Sequence, residues 1–261
     1  MSALSIARDG PVLRITLAKP ERRNAFDAAL IAELTEAFAD VGEARAVVLA
    51  GEGPSFCAGA DVEWQRSSID LSYDENVEDA LRLYRMLETI DECPAPIVAR
   101  VQGFALGGGS GVVACADIVV AAGDAVFGFT EVRLGIVPAV ISPFVLARIG
   151  PSAARRYFLT GERFGADVGL RIGLVDEVAD NLDPAVERAV GHLLAGGPEA
   201  VRAAKRLARE RPQGRDTATL AADLRTSPEG QEGLRAFLDK RPARLPDGGE
   251  WGVFAGKREP R

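Results

Sequence analysis

Three short segments hold the residue types and spacings that could do chemistry. The first runs from Val101 to Asp117. Gly107, Gly108 and Gly109 stand there between an apolar, strand-like run (Pro96 to Val101) and a run able to form a helix (Ser110 to Ala116). Glycine lets backbone approach a ligand closely. A helix that starts there adds unpaired N–H groups and the positive end of its dipole, which together make an anion hole. The second segment, Gly51 to Asp61, is another glycine-rich loop after a strand-like run. The third, Phe127 to Pro138, places one carboxylate, Glu131, among Phe129, Val132 and Leu134. Burial in such company raises a carboxyl pKa towards values useful for proton transfer. Taken alone, the triplet also fits a tight strand-to-helix connection, and Glu131 a helix cap or an ion pair.

The elements that must position these segments are legible as patterns. Leu4 to Ala7 and Val12 to Leu17 read as strands around a turn at Asp9, Gly10 and Pro11. Asp27 is placed to cap a helix whose apolar residues Leu30, Ile31, Leu34 and Phe38 recur at helical spacing. Ala46 to Ala50 is a buried-type strand, and Ser67 to Asp74 is expected to be a mobile loop. A helix follows from about Glu75 to Glu92 and ends before Pro94 and Pro96. Asp117 to Ala121 and Ala125 to Phe129 are further strands. Such alternation predicts an α/β fold with a mainly parallel sheet and helices packed outside. Helical patterns dominate from Pro143 onward. Asp183 and Pro184 are expected as a cap and first helical position, and further helices over Pro198 to Arg209 and Pro228 to Lys240.

Composition narrows the function classes. The chain has 261 residues, 47% hydrophobic and 26% charged, as in an ordinary globular protein. A net charge of −7 argues against a broad nucleic-acid footprint. Cys57, Cys93 and Cys115 follow no pattern and are expected as reduced thiols in a cytoplasmic protein. The N-terminus has no basic-then-apolar signal pattern, and the most apolar stretch, Leu134 to Leu146, is too short to span a bilayer. The one histidine, His192, sits in a helical pattern, and no Gly-x-Ser-x-Gly elbow accompanies it, so a serine triad is not expected. The triplet also lacks both the dinucleotide-binding spacing and the Gly-Lys-Ser/Thr of a P-loop.

In this order and at this spacing, the three segments resemble the crotonase family, also called the enoyl-CoA hydratase/isomerase family. The resemblance covers roughly Leu4 to Leu245. It implies a spiral of repeated ββα units over residues 1–197, a C-terminal helical region over 198–245 that packs against neighbouring subunits, and a tail over 246–261. The tail is expected to be disordered or to fold onto a partner. The implied assembly is a homotrimer or a dimer of trimers. The implied substrate is an acyl-CoA thioester, with no separate cofactor, no metal, no nucleic acid and no membrane partner. An enolate oxygen would be held by the backbone amides of Ala60 and Gly108, with Glu131 as acid and base. Contacts to CoA would come from Arg22 or Arg23, from Ala58 to Asp61, and from Phe237 with Lys240.

One departure stands out. Familiar enoyl-CoA hydratases carry a second glutamate two residues after the triplet, where this chain has Gly111. Either Glu131 acts alone, or the second acid comes from Asp61, Glu63, the Asp70 to Asp74 stretch or the substrate. A single carboxylate also suits an isomerase that moves one proton between two carbons. In contrast, the stretch from Glu131 to Phe144 resembles a hydratase branch acting on branched, 3-methylglutaconyl-type esters. Hydration is the leading expectation, isomerisation the nearest alternative, and a catalytically idle binding subunit the alternative of another class.

Overall fold

Runs of β-branched and aliphatic residues form the strands expected of them. The computed structural model describes residues 2–253 and divides into two compact units, one ending at Glu187 and one starting at Arg188. The first unit contains β1 (Leu4–Asp9), β2 (Val12–Leu17), α1 (Ala28–Ala39), β3 (Ala46–Gly51), α2 (Val62–Ser67), α3 (Tyr73–Asp91), β4 (Ile97–Val101), β5 (Phe104–Leu106) and α4 (Gly108–Cys115). It continues through β6 (Ile118–Ala122), β7 (Val126–Gly128), α5 (Ser142–Thr160), β8 (Arg163–Gly165), α6 (Ala166–Ile172) and β9 (Glu177–Ala179) into α7 (Leu182–Leu194).

Six strands form one sheet in the order β1-β2-β3-β4-β6-β9. Only β1 and β2 pair antiparallel, as a hairpin does; the other pairs are parallel. Val47, Val48 and Leu49 of β3 and Ile97, Val98 and Ala99 of β4 are all buried, as expected of parallel strands covered on both faces. A second ladder runs alongside. Phe26 bridges Ala60, Cys57 bridges Ala105, β5 pairs with β7, and β7 with β8. Each turn of chain therefore lays a strand in the large sheet, an extended segment in the second ladder, and then a helix. This is the ββα spiral. Its consequence is functional: three successive turns leave the second ladder at Ala60, Gly107 and Thr130, delivering the three chemical segments to the same place in the repeat.

Local sequence explains the helix starts. Asp27 accepts the Leu30 amide at 2.9 Å and caps α1. Ser72 and Glu75 form a reciprocal capping box at the start of α3. That box corrects the expected loop from Ser67 to Asp74: α2 reaches Ser67, a 3-10 turn covers Ser68–Asp70, and α3 begins at Tyr73. The polar residues there cap helices and leave no apolar period to read. α7 starts at Leu182, so Asp183 lies inside its first turn and is not the cap.

The second unit holds α8 (Pro198–Glu210), α9 (Arg215–Thr226), α10 (Pro228–Leu238), β10 (Ala243–Arg244) and β11 (Glu250–Trp251). Glu229 of α10 accepts the Glu199 and Ala200 amides, both at 2.9 Å, and so caps α8 from a neighbouring helix. The expected tail is corrected in its first half. β10 and β11 pair antiparallel, and Trp251 packs so closely on Gly233 of α10 that a Cβ there would meet its ring at 2.4 Å. The remainder, residues 254–261, lies outside the described residues.

Candidate active site

The Gly107 turn is built by a short relay. Ser110, fully buried, donates to the Ala105 carbonyl at 2.6 Å and accepts the Gly128 amide at 3.3 Å. Gly107 donates to the Gly128 carbonyl at 2.8 Å. These bonds lock the start of α4 against β7, the strand that leads to Glu131. Gly107 has φ +52°, a left-handed conformation that suits glycine. A Cβ on it would lie 3.2 Å from Glu131 Oε1, so the glycine is what allows the carboxylate to approach.

The first loop is held by a residue that the sequence reading missed. Asn24, fully buried and at φ +55°, donates from Nδ2 to the carbonyls of Glu52 and Ser55 and accepts the Lys19 amide, each at 2.9 Å. Its one sequence signal is chemical: asparagine tolerates left-handed backbone and carries both donor and acceptor. At the far end of this loop, the Phe26 amide donates to the Gly59 carbonyl and the Asp61 amide to the Phe26 carbonyl. In such a parallel bridge the residue between them, Ala60, directs its own N–H away from Phe26. Neither the Ala60 nor the Gly108 amide has an acceptor among the described residues. Gly108 is the first residue of α4, where intrahelical partners do not exist.

Ala60 and Gly108 both border one cavity of about 430 Å³. Glu131 borders it too, from a 3-10 turn over Glu131–Leu134. Its Oε2 is buried and has no hydrogen-bond partner among the described residues. Burial raises its pKa above the ordinary 4.5 and outweighs the hydrogen bond from its own amide. The cavity thus brings together two residues whose amides have no acceptor among the described residues, one buried carboxylate, and apolar walls from Phe26, Leu83, Val137 and Ile141. Such a site can polarise a carbonyl, stabilise the enolate formed from it and move a proton at the adjacent carbon.

Position 111 is the informative departure. Gly111 is buried inside α4, and a Cβ there would meet Ile141 Cγ2 at 2.6 Å and Leu87 Cδ2 at 3.6 Å. The space is filled by hydrocarbon. Asp61 does not replace the absent carboxylate: it caps α2 through the Glu63 and Trp64 amides and pairs with Arg22 at 3.1 Å. Burial pushes its pKa up, but those hydrogen bonds prevail and hold it below the usual carboxylate range. Glu63 pairs with the same guanidinium at 3.3 Å, and Asp70 ends the turn after α2; neither borders the cavity.

Of the residues expected at the CoA end, Ala58 borders the cavity and donates its amide to the Arg23 carbonyl. Arg23, left-handed at φ +52°, stacks its guanidinium 6.0 Å from the centre of the Phe104 ring. Arg22 is engaged by Asp61 and Glu63. Phe237 and Lys240 belong to the second unit, near the end of α10, where both are exposed. His192 is exposed on α7, and all three cysteines are buried. Cavity residues that the sequence reading did not single out are Trp64, Asp79 and Arg163.

Comparison with known proteins identifies the family. The family profile described as enoyl-CoA hydratase/isomerase matches residues 7–247. The solved structure of an enoyl-CoA hydratase from Shewanella pealeana aligns with a TM-score of 0.86 at 36% identity, over 92% of this chain and 94% of that one. AtuE from Pseudomonas aeruginosa aligns with a TM-score of 0.87 at 36% identity, over 92% and 97% of the two chains. The cyclohexa-1,5-dienecarbonyl-CoA hydratase of Thauera aromatica is 34% identical over 249 residues, covering 91% of this chain and 94% of its own length. This chain therefore belongs to the enoyl-CoA hydratase/isomerase family, and is an enzyme with the crotonase fold.

Proposed function

We propose that the enzyme hydrates the 2,3 double bond of an acyl-CoA thioester through an enolate held by the Ala60 and Gly108 amides. The observation that supports this reading is that one cavity is bordered by Ala60 and Gly108, whose amides have no acceptor among the described residues, and by Glu131, whose Oε2 has no donor among them. Negative charge that develops on the thioester oxygen meets the amides. Glu131 takes a proton from water as it adds to the alkene, then returns one to the α-carbon. Losing one such amide donor typically costs about 100- to 1000-fold in rate. The printed names of the relatives above, hydratases of acyl-CoA esters, support the same direction.

One observation favours isomerisation as the second reading. With Ile141 in the space beside Gly111, Glu131 is the one carboxylate beside the Gly107 turn among the described residues, and shuttling a proton between two carbons needs only one. A branched acyl group is the finer substrate reading, supported by Ile136, Val137 and Ile141 along the cavity. We assign the CoA nucleotide to Arg23 and the Ala58 to Asp61 backbone, and the assembly to a trimer or dimer of trimers.

The test is mass spectrometry of products from a panel of 2-enoyl- and 3-enoyl-CoA esters that includes 3-methylglutaconyl-CoA. Gain of one water establishes hydration. An unchanged mass with a moved double bond establishes isomerisation and overturns hydration. No change with any ester overturns both.

A further inference from the structure

One carboxylate on the cavity wall has no part in the chemistry above. Asp79 lies on α3 and borders the cavity with Trp64, Asn76 and Leu83. Its side chain is only 17% exposed. Oδ1 accepts the Trp64 indole N–H at 3.3 Å and lies 3.5 Å from Arg82 Nη1, whose side chain is largely exposed. Oδ2 accepts no hydrogen bond among the described residues. The indole therefore anchors one oxygen and leaves the other as an acceptor.

Distance decides what that acceptor serves. Leu87, on the same helix, marks the level of Gly111 by its approach to 3.6 Å. Asp79 precedes Leu87 by eight residues, about 12 Å along the helix axis. Side chains also lean towards the helix N-terminus, which takes the carboxylate farther away. Asp79 thus cannot stand in for an acid at position 111, and it faces a part of the ligand remote from the thioester. Arg163 also borders the cavity, but its guanidinium stacks 5.7 Å from the centre of the Phe104 ring, and among the described residues the ion-pair partner of Asp79 is Arg82.

We infer that Asp79 is a specificity residue that reads the distal end of the acyl chain, favouring a chain that carries a hydroxyl there and disfavouring one that ends in a carboxylate. This deepens the acyl-CoA reading above and rests on it. A hydroxyl donates to the free Oδ2, and a charge-assisted bond of this kind is among the stronger ones. A carboxylate at the end of a chain long enough to reach Asp79 would meet like charge in a partly dry cavity.

Isothermal titration calorimetry with saturated esters tests this without turnover. The probes are hexanoyl-, octanoyl- and decanoyl-CoA with their ω-hydroxy and ω-carboxy counterparts. At the matching length the ω-hydroxy ester binds about ten- to a hundredfold more tightly than the ω-carboxy ester. In Asp79→Asn that ratio falls to within about threefold, while the unsubstituted ester keeps its affinity. Equal or tighter binding of the ω-carboxy ester at every length in the unaltered protein overturns the inference without any variant. So does a preference that survives Asp79→Asn. Failure of every ester to bind overturns the acyl-CoA reading itself, and this inference with it.

Discussion

Replacing Gly111 with alanine tests the packing that sets this site apart. Inside a helix, alanine is favoured over glycine by about 0.5–1 kcal/mol, so a roomy site would be stabilised. Here the new Cβ would stand 2.6 Å from Ile141 Cγ2, and ordinary contact begins near 3.4 Å, so Ile141 must retreat by about 0.8 Å. It has little freedom to do so. It is 2% exposed, stiff at χ1 as a β-branched residue, and its carbonyl accepts the Val145 amide at 3.1 Å in the first turn of α5. Overpacking of this kind costs about 1–3 kcal/mol, which exceeds the helix gain. Ile141→Ala alone should cost about 2–5 kcal/mol through the cavity it leaves. In the double variant the methyl at 111 enters that cavity, so the pair should be less destabilised than the two costs combined, by about 1 kcal/mol or more. Urea denaturation followed by circular dichroism measures all four proteins. If Gly111→Ala gains stability and the two effects simply add, Ile141 does not fill position 111 and the single-carboxylate argument collapses. The same logic extends to chemistry: Gly111→Glu in the Ile141→Ala background should raise hydration above that of Ile141→Ala alone, measured by loss of enoyl absorbance.

Other predictions follow from the same geometry. Gly108→Pro removes one aimed N–H at the first position of α4, where proline suits a helix, and should lower turnover about 100- to 1000-fold with the fold retained by circular dichroism. Turnover should rise with pH through an apparent pKa above the ordinary glutamate value of 4.5, because the base form of Glu131 is the one that burial disfavours. The same raised pKa makes ionised Glu131 a liability to folding: its contribution is intact below the unfolded-state pKa and is lost as pH rises through the folded-state value. Glu131→Gln should therefore be more heat-stable than the unaltered enzyme at neutral pH, and lose that advantage in acid below the ordinary glutamate value. Asn24→Ala should cost about 1–3 kcal/mol for each buried group left without a partner, and lower turnover by loosening the loop that aims Ala60.

Much of this site was legible in the order of residues along the chain, because its parts are local. A glycine triplet between an apolar run and a helix-forming run can be read directly, and so can Glu131 among apolar neighbours. Most strands of the large sheet were legible for a similar reason: β3 and β4 are continuous apolar runs, as buried parallel strands must be, whereas β9, three residues long in a stretch expected to be helical, was not. What could not be read was the meeting of distant positions. Ile141 fills the space beside Gly111 from thirty residues away, and nothing in either local pattern announces it. Trp64 and Asp79 meet across two helices whose boundary is set by polar caps, in a stretch expected to be a loop. Asn24 organises the first loop through three hydrogen bonds to residues on either side of it. The closing strand pair fails for want of length: two residues on each side show no alternation, and Gly233 reveals its purpose only under Trp251.

The central claim is that Glu131 and two backbone amides form and hold an enolate, whichever direction the overall reaction takes. Exchange of α-protons tests it directly. A saturated acyl-CoA ester is incubated with the enzyme in deuterium oxide, and deuterium uptake at the α-carbon is followed by mass spectrometry. The account predicts steady uptake with the unaltered enzyme, and a loss of about 100-fold or more in Glu131→Gln and in Gly108→Pro. Uptake that persists undiminished in folded Glu131→Gln would contradict it.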